Sequence, residues 1–354
     1  MANIIKLANC HQQFSIEYQE TILAAAIRAG VSLNYGCSSG TCGLCKARLI
    51  EGQINEVQVP EFVLSEAEKL QGYFLTCLNT ASSETVIDVL TASSAKDIPI
   101  QEINVKVRKI EHVADQVYRL VVQTPRTSRL RFLAGQYVEL NAVQVGAANF
   151  AIASCPCEDR LIEFHVRVLP EDRFTAFVEK GMKVGDSLQL KGPLGEFSYD
   201  DTAQRPVILF AFDTGFAAIK SLLEHITAQE KEVPINLIWM SCGKQGLYMN
   251  NLCRSWNDAF DMFTYQGIAL DASFRELTLN PQQGRATVKS YIQDALKEYD
   301  NLSSYDIYTS APLPAIEIFR DVCIDKKVVS ARFFAEPIRG NENMTCILPS
   351  AEEE

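Results

Sequence analysis

The sequence predicts a multi-domain α+β and α/β protein: a compact N-terminal α+β unit, a small β-barrel and a doubly wound parallel α/β domain. Residues 1–92 mix strand-like runs with two short helical stretches around a loop rich in glycine and cysteine. Residues 103–200 carry alternating apolar runs at short spacing, punctuated by turn residues, as small barrels do. Residues 204–336 switch to strand–helix alternation, the signature of βαβ units with ligands at the C-terminal strand ends. The 354 residues are enough for two or three such domains.

In the first unit, Ile4 to Leu7 and Phe14 to Tyr18 read as a hairpin. Thr21 to Arg28 reads as a helix stopped near Gly30. Lys46 to Ile50 and Thr85 to Leu90 read as strands, and Ser65-Glu66-Ala67-Glu68 as a capped helix start. Residues 93–102, small and polar with Pro99, read as a linker. The barrel strands are expected at Asn104 to Ile110, Val117 to Gln123, Tyr137 to Leu140, Leu161 to Leu169 and Ser187 to Leu190. Beyond them, Pro206 to Phe212 is a buried strand, Asp213-Thr214-Gly215 a turn with Asp213 as helix cap, and Phe216 to Thr227 a helix. Further strands fall at Ile235 to Ser241, Met262 to Gln266, Asp306 to Ser310 and Arg332 to Ala335, and residues 337–354 form an acidic tail.

A net charge of −11 argues against nucleic acid and against an anionic membrane surface, because both need clustered Lys and Arg. No apolar run reaches the length of a membrane span, and the N-terminus lacks a basic stretch followed by an apolar one. A cytoplasmic protein is expected. Residues 1–92 hold 9 acidic against 5 basic side chains, a mildly acidic face that either orients an electron-transfer partner or is simply solvated.

The chemistry is concentrated in Gly36-Cys37-Ser38-Ser39-Gly40-Thr41-Cys42-Gly43-Leu44-Cys45. With Cys77, after 31 intervening residues, it gives a C-x4-C-x2-C…C run, the plant-type ligand spacing of a [2Fe–2S] cluster. Four thiolates must reach two irons, so the chain has to wrap tightly and bring backbone N–H groups near the sulfurs. A structural zinc site is the competing reading, but only Cys42 and Cys45 form a C-x-x-C and no His is near. A disulfide framework does not suit a chain this long without a secretory signal. The other seven of the 11 cysteines, including Cys155 and Cys157, are expected to be free thiols. The four histidines are isolated, and Trp239 and Trp256 read as core.

The order of these parts resembles the iron–sulfur flavoprotein reductases, and the resemblance covers nearly the whole chain. It is carried by the cysteine run and by Ala134 to Tyr137, Phe164 to Pro170, Leu190 to Phe197 and Phe333 to Glu336. It implies a β-grasp [2Fe–2S] ferredoxin domain at 1–92, a flavin-reductase-type barrel at 103–200 and an NAD(P)-binding-like domain at 204–336. It further implies an NAD(P)H:acceptor oxidoreductase in which a hydride from NAD(P)H reduces FAD, and electrons then pass singly to the cluster and on to a redox partner such as an oxygenase component. The implied metal ligands are Cys37, Cys42, Cys45 and Cys77. The implied cofactor residues are Phe150, Arg167, Thr175, Gly192 and Pro193 for flavin, and Thr214 and Gly215 for nicotinamide.

Four stretches depart from the family pattern. Its Arg-x-Tyr-Ser flavin signature reads Ala148-Asn149-Phe150-Ala151, and its phosphate turn reads Asp172-Arg173-Phe174-Thr175. Its Gly-Gly-Thr-Gly turn reads Phe212-Asp213-Thr214-Gly215, and its Cys-Gly-Pro reads Ser310-Ala311-Pro312. A missing charge-assisted bond removes roughly 1.5–3 kcal/mol, about one to two decades of affinity. The sequence therefore fits two functions. One is a divergent reductase that holds FAD and NAD(P)H by other contacts. The alternative is a cofactor-poor pseudo-reductase, acting as a one-electron ferredoxin or a docking protein. A cluster-based sensor or assembly factor is a third class that no residue supports directly.

Overall fold

A computed structural model describes residues 3–338, apart from positions 11, 60, 63, 93, 144, 170, 171 and 271–280. His11, Pro170, Cys346 and the acidic tail from 339 onward lie outside the described residues.

The first unit comprises β1 (Asn3–Leu7), β2 (Gln13–Ile16), α1 (Ile22–Arg28), β3 (Lys46–Glu51), β4 (Ile54–Glu56), α2 (Glu66–Leu70), β5 (Tyr73–Leu75), β6 (Asn79–Ala81) and β7 (Thr85–Val89). Its main sheet runs β2-β1-β7-β3-β5, with β1 and β7 parallel and the other pairs antiparallel. Strand alternation buries Ile5, Leu7, Phe14 and Ile16 against Ile22, Leu23, Ala25 and Ala26 of α1. Thr21 caps α1 by accepting from Ala24 N–H at 3.2 Å, and Ser65 and Glu68 form a reciprocal capping box on α2.

The segment read as a linker carries a capped turn at Ala95–Asp97, and Ile98 packs with Ala92 and Leu133. The second unit follows with β8 (Gln101–Ala114), β9 (Val117–Gln123), β10 (Tyr137–Ala142), β11 (Gly146–Ala151), β12 (Leu161–Arg167), α3 (Arg173–Lys180) and β13 (Ser187–Leu194). Its six strands are ordered β11-β10-β13-β8-β9-β12, and every adjacent pair is antiparallel. Strand β11 and helix α3 were not anticipated. The Ala- and Gly-rich β11 lacks the β-branched run that marks a strand, and it forms because β10 supplies its full ladder from Tyr137↔Ala151 to Ala142↔Gly146.

The third unit is built from β14 (Val207–Phe212), α4 (Phe216–Ala228), β15 (Ile235–Cys242), α5 (Asn250–Ala259), β16 (Phe263–Leu270), α6 (Pro281–Ala295), β17 (Asp306–Ala311), α7 (Leu313–Asp325) and β18 (Phe333–Pro337). Five parallel strands run β16-β15-β14-β17-β18, so the order reverses beside β14. All six residues of β14 are buried, as expected for a strand covered on both faces. The reversal opens a crevice at the C-terminal ends of β14 and β17, where such sheets take ligands.

Candidate functional site

The chemistry-bearing residues gather in two places. The first is the cysteine loop. Cys37 and Cys45 are fully buried and Cys77 is 4 % exposed. Cys45 Sγ lies 3.2 Å from Cys77 Sγ, and Cys42 Sγ accepts from Leu44 N–H at 3.5 Å. Cys37 pairs with Cys42 through their side chains. Burial opposes ionisation of Cys37, but hydrogen bonds from Thr41, Ser39 N–H and Cys42 bring its thiol down to about 6. The thiols thus stand as two pairs, three on the wrapped loop and Cys77 on the turn between β5 and β6, a donor set that fits the two irons of a [2Fe–2S] cluster. The wrap requires Gly40 (φ +74°), because a Cβ there would meet Leu78 Cδ1 at 2.4 Å.

The loop is docked on the barrel. Arg129 N–H donates to Gly36 O at 2.9 Å and Arg129 Nε to Ser38 Oγ at 3.3 Å. Ser38 N–H donates to Arg126 O at 3.4 Å. Arg131 Nη1 donates to Asn34 Oδ1 at 2.7 Å and Nη2 to Ser32 O at 3.3 Å. Both Arg129 and Arg131 are buried, so these bonds form a closed joint.

The second site is a solvent-open cleft between the barrel and the third unit. It gathers Phe150 from β11, Arg167 from the end of β12, Thr175 from the first turn of α3, and Thr214 and Gly215 from the turn after β14. Gly192 and Pro193 lie in β13 and do not line it; Gly192 pairs with Gln101 of β8. The sequence reading missed Tyr137, His165, Ser310 and Glu336, which complete the walls. Residues 163, 165 and 167 share one face of β12 by strand period, and that signal could have found His165.

Local folding sets each group. Asp172 caps α3, accepting from Thr175 N–H at 2.8 Å, so its carboxylate serves the helix rather than confronting a diphosphate. Thr175 Oγ1 accepts from Leu169 N–H at 3.1 Å. Asp213 does not cap α4 as expected. Its carboxylate, 1 % exposed, takes a bidentate fork from Arg167 Nε and Nη2, which outcompetes a neutral N–H as partner. Gly215 packs so closely on β17 that a Cβ would stand 2.0 Å from Ser310 O.

Behind the cleft lies a buried polar chain. His165 Nδ1 and Tyr248 Oη are 2.9 Å apart, and His165 Nε2 and Glu163 Oε1 are 3.0 Å apart. Glu163 also accepts from Arg119 Nη2 at 2.5 Å. Lys220 Nζ donates to Ala153 O at 3.0 Å and pairs with Glu224 at 2.7 Å. Burial would raise the Glu163 carboxyl, but His165 and Arg119 hold it well below the usual range. Burial lowers His165 from the usual imidazole value, against the opposing pull of Glu163. Two thiols expected to be free are bridged: Pro156 turns the chain so that Cys155 and Cys157 form a disulfide with Cα atoms 5.0 Å apart.

Residues 7–82 match the 2Fe-2S iron-sulfur cluster binding domain, and residues 104–199 match the oxidoreductase FAD-binding domain. The toluate 1,2-dioxygenase electron transfer component of Pseudomonas putida is 30 % identical over 319 residues, 90 % of this chain and 92 % of the relative. The chain belongs to the iron–sulfur flavoprotein reductases. Within that family, the CDP-6-deoxy-L-threo-D-glycero-4-hexulose-3-dehydrase reductase of Yersinia pseudotuberculosis is 26 % identical, covering 91 % of this chain and 94 % of the relative. The solved Amycolatopsis cytochrome P450 reductase shares the fold with a TM-score of 0.60 at 21 % identity, over 95 % of this chain and 98 % of that one. The thiol set fits the cluster that the first match implies. The aromatic walls Tyr137 and Phe150, with Ser310 and Glu336 as polar groups, fit the planar ring of the flavin that the second implies. Among the described residues, no helix is long and apolar enough to cross a membrane.

Proposed function

We propose that this chain is the NAD(P)H-dependent reductase of an electron-transfer pair, passing single electrons through its [2Fe–2S] cluster to an oxygenase component or a similar acceptor. The observation that carries the reading is the joint between the cysteine loop and the barrel, where Arg129 binds Gly36 O and Ser38 Oγ directly beside Cys37. Such a joint sets a fixed, short path between the flavin-type domain and the cluster. When bound, FAD would supply the exchange between a two-electron donor and a one-electron acceptor.

The chain's own residues have definite tasks in this scheme. Cys37, Cys42, Cys45 and Cys77 would hold the irons. Tyr137 and Phe150 would flank the flavin ring, and Thr175 would sit beside it on α3. Thr214 and Gly215 would let a nicotinamide approach the start of α4, since only glycine fits under Ser310. His165, bonded to Glu163 and Tyr248, would hold a fixed polar group at the cleft wall. Outside the cluster set, Cys10, Cys242, Cys253 and Cys323 are free thiols, which suits a reducing compartment, so we place the chain in the cytoplasm.

The test is the visible spectrum of anaerobically purified protein, with flavin, iron and sulfide assays and titration with NADH and NADPH. Two irons and about one flavin per chain, both bleached by a reduced nicotinamide, are the expected result. Two irons with no flavin after incubation with FAD would overturn the reading, leaving a ferredoxin carried on a cofactor-free reductase fold.

A further inference from the structure

The Arg167–Asp213 pair is the feature of the cleft that electron transfer leaves unexplained. Arg167 ends β12 on the barrel, and Asp213 opens the turn after β14, so the pair spans two domains. Nε and Nη2 each donate to a different carboxylate oxygen. That planar fork is the geometry arginine also offers a phosphate. With Asp213 1 % exposed, solvent and salt screen the pair little.

The turn is built to keep the carboxylate there. Asp213 has φ +54°, the left-handed region that an L-residue other than glycine seldom takes. Trp239 Nε1 donates to the Asp213 carbonyl at 3.1 Å, and its ring stacks on Phe216 at 3.9 Å. A left-handed residue held by a buried indole on one side and a guanidinium fork on the other is not a solvated surface acid. The 13-residue α4 begins three residues later, with Thr214 and Gly215 on the cleft wall. Cation fork and helix start therefore converge on a position filled by the chain's own carboxylate.

We infer that Asp213 stands in for a phosphate of the nicotinamide dinucleotide, occupying Arg167 until the dinucleotide displaces it. The inference rests on the reductase reading, and it makes Asp213 the residue that sets dinucleotide affinity: a positioning residue, not a catalytic one. The ligand must compete with an intramolecular partner, so its apparent affinity is reduced by the fraction of molecules in which Arg167 is free. No bond is made or broken; one anion replaces another on the same guanidinium.

The test uses the full chain loaded with flavin and cluster, and the unreactive oxidised probes NAD⁺ and NADP⁺ in equilibrium calorimetry. Asp213→Asn keeps the side chain's shape and removes its charge. Its Kd for at least one probe should fall tenfold or more, while Asp213→Glu stays near the parent value. Hydrogen exchange on the parent chain gives a second measurement, independent of whether the variant folds: saturating probe should change exchange of the amides at 213–215, because the turn must move for the carboxylate to leave Arg167. Equal Kd in parent and Asp213→Asn, or unchanged exchange at saturation, overturns the inference and leaves the reductase reading standing. No binding of either probe to either chain at millimolar concentration counts against both.

Discussion

At the scale of single residues, the strongest determinants are the thiols and the buried charges. Replacing Cys42 with Ser removes one of the four proposed iron ligands. The expected result is loss of the cluster's visible absorption, and a variant with its full spectrum would refute the ligand assignment. The buried chain behind the cleft gives a pH signature. Burial lowers His165 from 6.5, so the unfolded state binds its proton more readily than the folded one. That contribution is complete above about 6.5 and is lost as pH falls through it. Glu163, held far below 4.5 by His165 and Arg119 against the opposing effect of burial, acts in the same direction at lower pH. Its contribution is present above 4.5 and declines as the solution is acidified further. Thermal melts should therefore plateau above neutrality, soften below about pH 6.5 and steepen below about pH 4.5. His165→Gln should flatten the upper limb and, by removing one of the two partners of Glu163, weaken the lower one as well; an unchanged upper limb would exclude His165 as its source.

Elements are decided by caps, turns and close approaches. The α2 capping box was legible because Ser65 and Glu68 stand three apart, and the structure carries both reciprocal bonds. Ser65→Ala should cost about 1 kcal/mol in chemical denaturation, with the cluster spectrum unchanged. The turn from β14 into α4 is less forgiving. Gly215→Ala places a methyl 2.0 Å from Ser310 O, and backbone cannot move aside as a flexible side chain can. A loss of about 1–3 kcal/mol is expected, together with weakened nicotinamide binding. A variant as stable as the parent would mean that β17 yields at that contact. The same turn shows why local rules fell short. Asp213 before a helix reads as a cap, and only β12, distant in sequence, supplies the arginine that takes its carboxylate.

The whole molecule depends on how the first unit is seated. Arg131 donates across the joint to Asn34 and Ser32, and Gln229 of the third unit reaches Gly30 O at 3.4 Å. Arg131→Ala removes charged hydrogen bonds from a buried site, at a cost of roughly 1.5–3 kcal/mol. Calorimetry should then resolve the first unit melting ahead of the rest, with slower reduction of the cluster by NADH at full flavin content. A single transition and an unchanged reduction rate would show that the joint does not govern transfer.

The sequence by itself determined the order of the three units and their fold classes and singled out the candidate cluster thiols, because those rest on local quantities: thiol spacing, strand and helix periodicity, caps. It also exposed where the cofactor motifs diverge. The tertiary structure alone decided what the divergent residues do. Phe150 joins a cleft wall, Asp172 is spent on capping α3, Asp213 is paired with Arg167, and Cys155 is bridged to Cys157. Each outcome is a choice between partners on other elements, made by burial and geometry that no window of sequence contains. Strand β11 is the same case at larger scale: its residues have little preference of their own, and the ladder offered by β10 makes them a strand.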